Sequence, residues 1–213
     1  MLITIDGATG VGKTTSARLL SARLGFQHLV GGVFFRSLTF VCLQKNALNE
    51  CEIIRVANTL NPEIKVIDGK SRIFLEGVDV DDYLWLDDIN KVVPTIANFS
   101  SVRKLRANWL KEYAKNKNIV ADGRTLGTEI FPNAEKKFYL VCDLKTRMNL
   151  RQLSDDERRK KQEHLDKIIL RDQQDERAEI NKFEVAHDAH IIDTTLLSPN
   201  EVVAEMFAQL APK

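Results

Sequence analysis

The stretch that most constrains this chain is its beginning: Leu2-Ile3-Thr4-Ile5-Asp6, then Gly7-Ala8-Thr9-Gly10-Val11-Gly12-Lys13-Thr14-Thr15. The first five residues carry no charge before Asp6 and are rich in β-branched side chains, as in a short buried strand. Gly7 to Thr14 then fits G-x-x-x-x-G-K-[ST], a phosphate-binding loop. Ser16 to Leu24 places apolar residues at helical spacing and stops at Gly25. Strand, glycine loop and helix in that order give the motif its meaning. The glycines let successive backbone N–H groups turn inward as an anion nest, and the helix N-terminus adds partial positive charge. Gly7, Gly10, Val11, Gly12, Lys13, Thr14 and Thr15 are therefore expected to hold a nucleotide's phosphates. Lys13 would reach the β- and γ-phosphates as a point charge, and the Thr14 hydroxyl would ligate Mg²⁺.

Composition narrows what surrounds that loop. A chain of 213 residues suits one α/β domain with inserted subdomains and can bury a sizeable core. Its 31 basic and 30 acidic residues are nearly balanced, against the pattern of a general nucleic-acid binder or a polybasic membrane protein. Three scattered cysteines, Cys42, Cys51 and Cys142, fit reduced thiols in a cytoplasm and neither a disulfide framework nor a metal cluster. Five residues before the loop leave no room for a signal peptide, and no apolar run approaches membrane-spanning length. The expectation is a cytoplasmic monomer acting on small molecules, with no nucleic-acid polymer and no membrane as partner.

Further along, residues 26–30 read as a second short strand, and 33–43 and 50–60 as helices. Ile64–Ile67 and Arg72–Glu76 flank Asp68-Gly69-Lys70 as a β-hairpin, so 62–80 reads as an inserted subdomain. Residues 87–98 and 102–116 read as helices, the second amphipathic through Val102, Leu105, Trp109, Leu110 and Tyr113. Residues 119–122 and 138–143 are short apolar strands, 144–153 and 165–180 helices, and 191–193 a last strand. Ser198-Pro199-Asn200-Glu201 opens a final helix as a capping box. Near-continuous apolar strands alternating with helices indicate a parallel sheet covered on both faces, a three-layer α/β/α architecture.

Ligands of open parallel sheets bind beyond the carboxyl ends of the strands, and three such ends carry chemistry. The first is the loop itself. The second is Asp122-Gly123-Arg124, where Asp122 is either a turn cap or a holder of Mg²⁺, and Arg124 is an anion ligand. The third is Asp143, with Arg147 and Arg151 following at helical spacing on one face; Arg151 is assigned to the donor-nucleotide site. Ser154 to Arg177 is dense in charge, either a solvated helix laced with ion pairs or a lid that closes over phosphates.

Taken together these segments resemble the bacterial cytidylate kinases, within the nucleoside monophosphate kinases. The similarity runs nearly end to end. It includes Ile3-Thr4-Ile5-Asp6-Gly7 with the loop, Gly32 to Arg36, and Leu75-Glu76-Gly77-Val78-Asp79-Val80. It continues through Val102-Arg103, Ala121 to Thr128, Phe131-Pro132-Asn133-Ala134, Arg171-Asp172-Gln173-Gln174-Asp175 and Ile192-Asp193-Thr194-Thr195. The resemblance implies a phosphate-loop kinase core at 1–30, 100–150 and 185–213, an acceptor-binding insertion at 31–99 and a lid at 151–184. It implies ATP and Mg²⁺ as donor and metal, and a nucleoside monophosphate as acceptor. By position, Lys13, Arg124, Arg171 and Arg177 would serve catalysis, and Thr14 and Asp122 the metal. Gly31, Phe35, Arg36, Arg103, Arg124, Thr125 and Asp175 would meet the acceptor.

The departures from that family are concentrated. Val30-Gly31 stands where the family has Asp-Ser, Thr125 where it has aspartate, Phe35 for tyrosine and Pro94 for a helix serine. Trp85 replaces an arginine, and the lid arginine expected at Ala178 stands one place early as Arg177. Groups for phosphate and ribose are mostly kept; groups that would read cytosine's edge are mostly lost. A site built to hydrogen-bond a base discriminates because unpaired polar groups are costly, so their replacement should erase that discrimination. The expected acceptor is therefore a nucleotide other than plain CMP, a modified pyrimidine nucleotide or another phosphorylated metabolite. A nucleotide-binding regulatory protein is the competing reading. A small GTPase is not supported, because no N-K-x-D segment is present.

Overall fold

The structure, a computed structural model, describes residues 1–68, 70–143, 146, 169–170, 173 and 184–210. In chain order its elements are β1 (Leu2–Gly7), α1 (Lys13–Leu24), β2 (Gln27–Val30), α2 (Val33–Gln44) and α3 (Glu50–Thr59). Then come β3 (Glu63–Ile67), β4 (Lys70–Leu75), β5 (Val78–Asp79), a 3₁₀ turn Asp81–Trp85, α4 (Asp87–Asn98) and α5 (Ser100–Ala114). The chain continues with β6 (Ile119–Asp122), a π-helical turn Leu126–Ile130, β7 (Lys136–Val141), β8 (His190–Asp193) and α6 (Pro199–Ala208). It divides into two compact units, Met1–Phe26 with Ile119–Lys213, and Gln27–Asn118.

The first unit is α/β. β1 pairs in parallel with β6 on one side and β7 on the other, and β8 adds in parallel to β7. Alternate strand residues share a face, so Ile3, Ile5, Val120, Phe138, Leu140 and Ile192 form one buried surface. Ala17 and Leu20 of α1 and Val202, Val203 and Met206 of α6 close over it. On the other face the turn 126–130 lies against Thr4, Asp6 and Lys137, so closely that a Cβ on Gly127 would stand 2.9 Å from Thr4 Oγ1. The capping box at Ser198 and Glu201 is present and fixes the start of α6.

The second unit packs α2 through α5 around Phe34, Leu38, Ile53, Ile89, Ile96 and Val102. Its small sheet has three antiparallel strands in the order β3-β4-β5, where the sequence suggested a two-stranded hairpin. The added strand follows from Glu76-Gly77, which join Leu75 to Val78 with φ of 50° and 82°. Two positive-φ residues in a two-residue loop are what a type I′ turn demands. Arg72 then ties the sheet to the following 3₁₀ turn through Asp79 and Asp82, and this guanidinium holds the Asp79 carboxyl below the usual range.

Other boundaries move for identifiable reasons. The strand expected at 138–143 is 136–141, because Lys137 is buried in it, its ammonium held by the Pro132 carbonyl and Asp188. Its C-terminal end comes early because the Asp143 carboxylate turns to accept from Thr146 N at 2.9 Å. α5 spans 100–114 instead of 102–116. α1 begins at Lys13 instead of Ser16, so the lysine and both threonines of the motif lie on its first turn. Apart from isolated positions, the helices expected at 144–153 and 165–180 lie outside the described residues. No described helix is long and apolar enough to cross a membrane.

Candidate functional site

The phosphate loop is built by backbone geometry first. Gly7, Gly10 and Gly12 have φ of 146°, 80° and 90°, and only glycine adopts the first without severe cost. Gly7 also allows close strand approach: a Cβ there would meet the Leu140 carbonyl oxygen at 2.4 Å. Gly12 is the N-cap of α1 and, lacking a side chain, makes no side-chain cap to that helix's first N–H groups, the end of a helix that favours anions.

Side chains hold the loop from several directions. Lys13 Nζ donates to the Ala8 carbonyl, curling back over the loop. Arg124 Nη2 donates to Thr9 Oγ1 at 2.8 Å. The Thr194 hydroxyl lies within hydrogen-bond distance of the Val11 and Val141 carbonyls, 3.2 and 3.1 Å. Val11 itself is buried in the core. The Thr14 hydroxyl donates to Asp122 Oδ2 at 2.7 Å, so the two residues expected to serve a metal converge on one point.

That pair suits a small hard cation. Magnesium takes oxygen ligands and is held by one or two protein groups, the rest coming from water and substrate phosphates. A hydroxyl and a carboxylate beside a phosphate loop meet this need. No group of three or more His, Cys, Asp or Glu able to hold a metal occurs among the described residues.

Arg124 owes its placement to a residue that sequence reading passed over. Gly123 N donates to the Ile5 carbonyl at 3.0 Å. Three residues on, Leu126 N and Gly127 N donate to Asp6 Oδ1 and Oδ2 at 2.9 and 2.7 Å. Arg124 is thus pinned on both sides to the end of β1. Within the same turn the Thr125 hydroxyl donates to Glu129 Oε2 at 3.0 Å. Asp6 looked like an ordinary strand end in the sequence, and nothing local signals its partners 120 positions away.

Of the residues expected to meet the acceptor, Gly31, Phe35 and Arg36 lie around the start of α2 and Arg103 lies on α5, all in the second unit. Gly31 and Gly32 precede α2, Phe35 is buried on its first turn, and Arg36 follows. The Arg36 guanidinium donates to the Leu84 carbonyl and Asn90 Oδ1, both 2.8 Å, and stacks 4.2 Å over the Trp85 ring. Arg103 Nη1 donates to the Ala97 carbonyl at 3.1 Å. Pro94 sits inside α4. Arg106, absent from the sequence reading, donates from Nε to the Gly31 carbonyl at 2.8 Å and lies over the Phe35 ring. Arg151, Arg171, Asp175 and Arg177 lie outside the described residues.

A parallel sheet whose first strand feeds a glycine loop and a helix, with a carboxylate at the end of the adjacent strand, defines a phosphate-loop kinase fold. The family model for cytidylate kinase matches residues 3–211. The cytidylate kinase of Caldicellulosiruptor bescii is 32% identical over 209 residues, 96% of this chain and 92% of that protein. That of a Geobacillus species is 33% identical over 211 residues, 94% of this chain and 92% of that one. The crystal structure of an uncharacterized protein from Eubacterium ventriosum aligns with a TM-score of 0.50 at 10% identity, over 99% of this chain and 97% of that one, a likeness of fold. The chain belongs to the cytidylate kinase family. It is accordingly a phosphotransferase of the nucleoside monophosphate kinase class.

Proposed function

We propose that this enzyme transfers the terminal phosphoryl group of ATP to the phosphate of a nucleoside monophosphate that is not selected as cytosine. Mg²⁺ at Thr14 and Asp122 would supply charge neutralisation between the donor's phosphates. An acceptor phosphate oxygen bonds to the γ-phosphorus, and the bond to the bridging oxygen of departing ADP breaks. Lys13 and Arg124 compensate charge on the transferring group, and the loop's N–H groups hold it in line. Arg171 and Arg177 add cations from the segment 151–184, read as a lid, with Arg151 on the donor side. Gly31, Phe35, Arg36, Arg103, Thr125 and Asp175 receive the acceptor, the first three from the insertion 31–99. We further propose a cytoplasmic monomer.

The observation that carries the acceptor reading is the chemistry at residues 30–35. Val30, Gly31, Gly32 and Phe35 offer no side-chain hydrogen bond to a base, while the phosphate-loop geometry is intact. The test is ADP release with ATP and Mg²⁺ across CMP, dCMP, UMP, AMP, IMP and modified pyrimidine nucleotides, with Lys13→Ala as control. Turnover that depends on Lys13 and peaks away from CMP is expected. Fast, selective turnover of CMP would refute the acceptor assignment. ATP binding without turnover of any monophosphate would favour a regulatory nucleotide binder.

A further inference from the structure

The 3₁₀ turn Asp81–Trp85 closes around one guanidinium. Arg36, half-buried near the start of α2, donates from Nη1 to the Leu84 carbonyl and to Asn90 Oδ1, both at 2.8 Å. Its Cζ stands 4.2 Å from the centroid of the Trp85 ring, so the indole covers one face of the guanidinium plane. Asn90 is fixed in turn, because its Nδ2 donates to the Trp85 carbonyl at 3.0 Å. With its oxygen toward Arg36 and its nitrogen toward a carbonyl, that amide has one consistent orientation. Arg36, Trp85 and Asn90 thus form a closed ring of contacts, all inside the second unit. The turn that carries Trp85 is tied down separately. Arg72 of β4 bonds to Asp79 and Asp82, and Asp79 Oδ1 accepts the Asp81 N–H at 3.1 Å.

We infer that Trp85 is a positioning residue: its ring sets the plane of the Arg36 guanidinium and, through it, how well the enzyme holds the phosphate of its acceptor. This rests on the proposed reading of Arg36 as a residue that receives the acceptor. Arginine meets a phosphate through a planar fork, so the contact depends on the tilt of that plane as well as on distance. Two hydrogen bonds from Nη1 anchor one end of the fork, and a ring against its face limits the tilt of the rest. Leu84 and Trp85 are consecutive, so one turn supplies both the carbonyl and the ring. A leucine at 85 keeps both backbone carbonyls and removes only the ring. A phenylalanine keeps a π face.

The experiment is a double-mutant cycle on kcat/KM, read by ADP release with whichever of CMP, UMP, AMP and IMP wild type turns over fastest. W85L, W85F, R36K and the pair W85L/R36K are compared with wild type, and the KM for ATP is measured alongside. W85L is expected to lower kcat/KM for the monophosphate about tenfold and to leave the KM for ATP within about twofold. W85F, which keeps a ring, should stay within about threefold of wild type. Lysine presents a point charge with no plane to tilt, so in the R36K background W85L should cost no more than about threefold. A tenfold loss that persists in R36K, or a W85F as impaired as W85L, means that Trp85 acts on the fold alone and overturns the inference. So does a W85L indistinguishable from wild type. If W85L does not fold, W85Q replaces it in the same cycle, a change suited to a side chain that is 41% exposed. An R36K that matches wild type sinks the acceptor role of Arg36 and this inference with it, while Lys13-dependent turnover stands. No turnover of any monophosphate sinks the proposed function and both of these.

Discussion

Asp6→Asn tests whether the placement of Arg124 depends on the buried carboxylate that immediately precedes the phosphate loop. The Asp6 side chain is 5% exposed and accepts the Leu126 and Gly127 N–H groups through separate oxygens, at 2.9 and 2.7 Å. Asparagine keeps the shape but has one acceptor oxygen. Its amide nitrogen must face one of the two backbone donors. The substitution therefore removes one charge-assisted hydrogen bond, about 1.5–3 kcal/mol, and leaves a buried donor unmatched, about 1–3 kcal/mol. Since the two effects overlap, a loss of about 2–5 kcal/mol is expected, and at about 2–4 °C per kcal/mol for a chain of this size Tm should fall by roughly 4–20 °C.

The same change should slow the reaction well below the unfolding temperature. Arg124 is bracketed by the Gly123–Ile5 bond and the Asp6 bonds, and the variant weakens one bracket. A misplacement of about 1 Å costs on the order of 100-fold in rate, so kcat should drop by about 10–100-fold, with the KM for ATP changing less. Far-UV circular dichroism during urea and thermal unfolding reads the first effect. Steady-state ADP release at 20 °C reads the second. A variant within 0.5 kcal/mol and twofold in kcat of wild type, taking about 0.5 kcal/mol as an ordinary surface substitution, would refute the bracket.

Three further changes test other parts of the fold. Gly7→Ala places a Cβ at φ +146° and 2.4 Å from the Leu140 carbonyl, so it should cost about 2–4 kcal/mol by chemical denaturation and abolish nucleotide binding. Lys137→Met removes the buried ammonium that holds Asp188 below the usual carboxylate range. A depressed folded pKa stabilises above the unfolded value of about 3.9 and is lost as pH falls through the folded one, so the gap between wild type and variant should be full at pH 6 and shrink below about pH 4. Burial pushes the Cys42 thiol up to about 11, while Cys51 is exposed. At pH 8 an aromatic disulfide reagent should therefore modify Cys51 rapidly and Cys42 only on unfolding.

What was legible in the sequence shares one property: it is enforced locally. The phosphate loop is readable because each glycine answers a backbone demand within a few residues, and the capping box because Ser198 and Glu201 are three apart. The strand at 136–141 was misplaced because hydrophobicity alone starts it at Phe138. Lys137 enters the strand only because the Pro132 carbonyl and Asp188 accept its protons. The π-helical turn at 126–130 has no periodic signature at all. It is specified by the Asp6 carboxylate, which chain order hides.

The residues expected at the acceptor escaped for a different reason. The sequence shows a glycine, a phenylalanine and a threonine where the family it resembles has serine, tyrosine and aspartate. It does not show what packs beside them, because that neighbour comes from another element. On α5, Arg106 reads as one charge among many on a helix whose face was assigned from Val102, Leu105, Trp109, Leu110 and Tyr113. The fold turns that charge onto the Gly31 carbonyl and the Phe35 ring. On the proposed reading of residues 30–35 as the acceptor segment, Gly31→Ser returns a hydroxyl that can accept as well as donate, and should raise kcat/KM for CMP relative to UMP by about tenfold. An unchanged ratio with turnover intact would refute that reading, because a group restored beside the base must alter how bases are ranked.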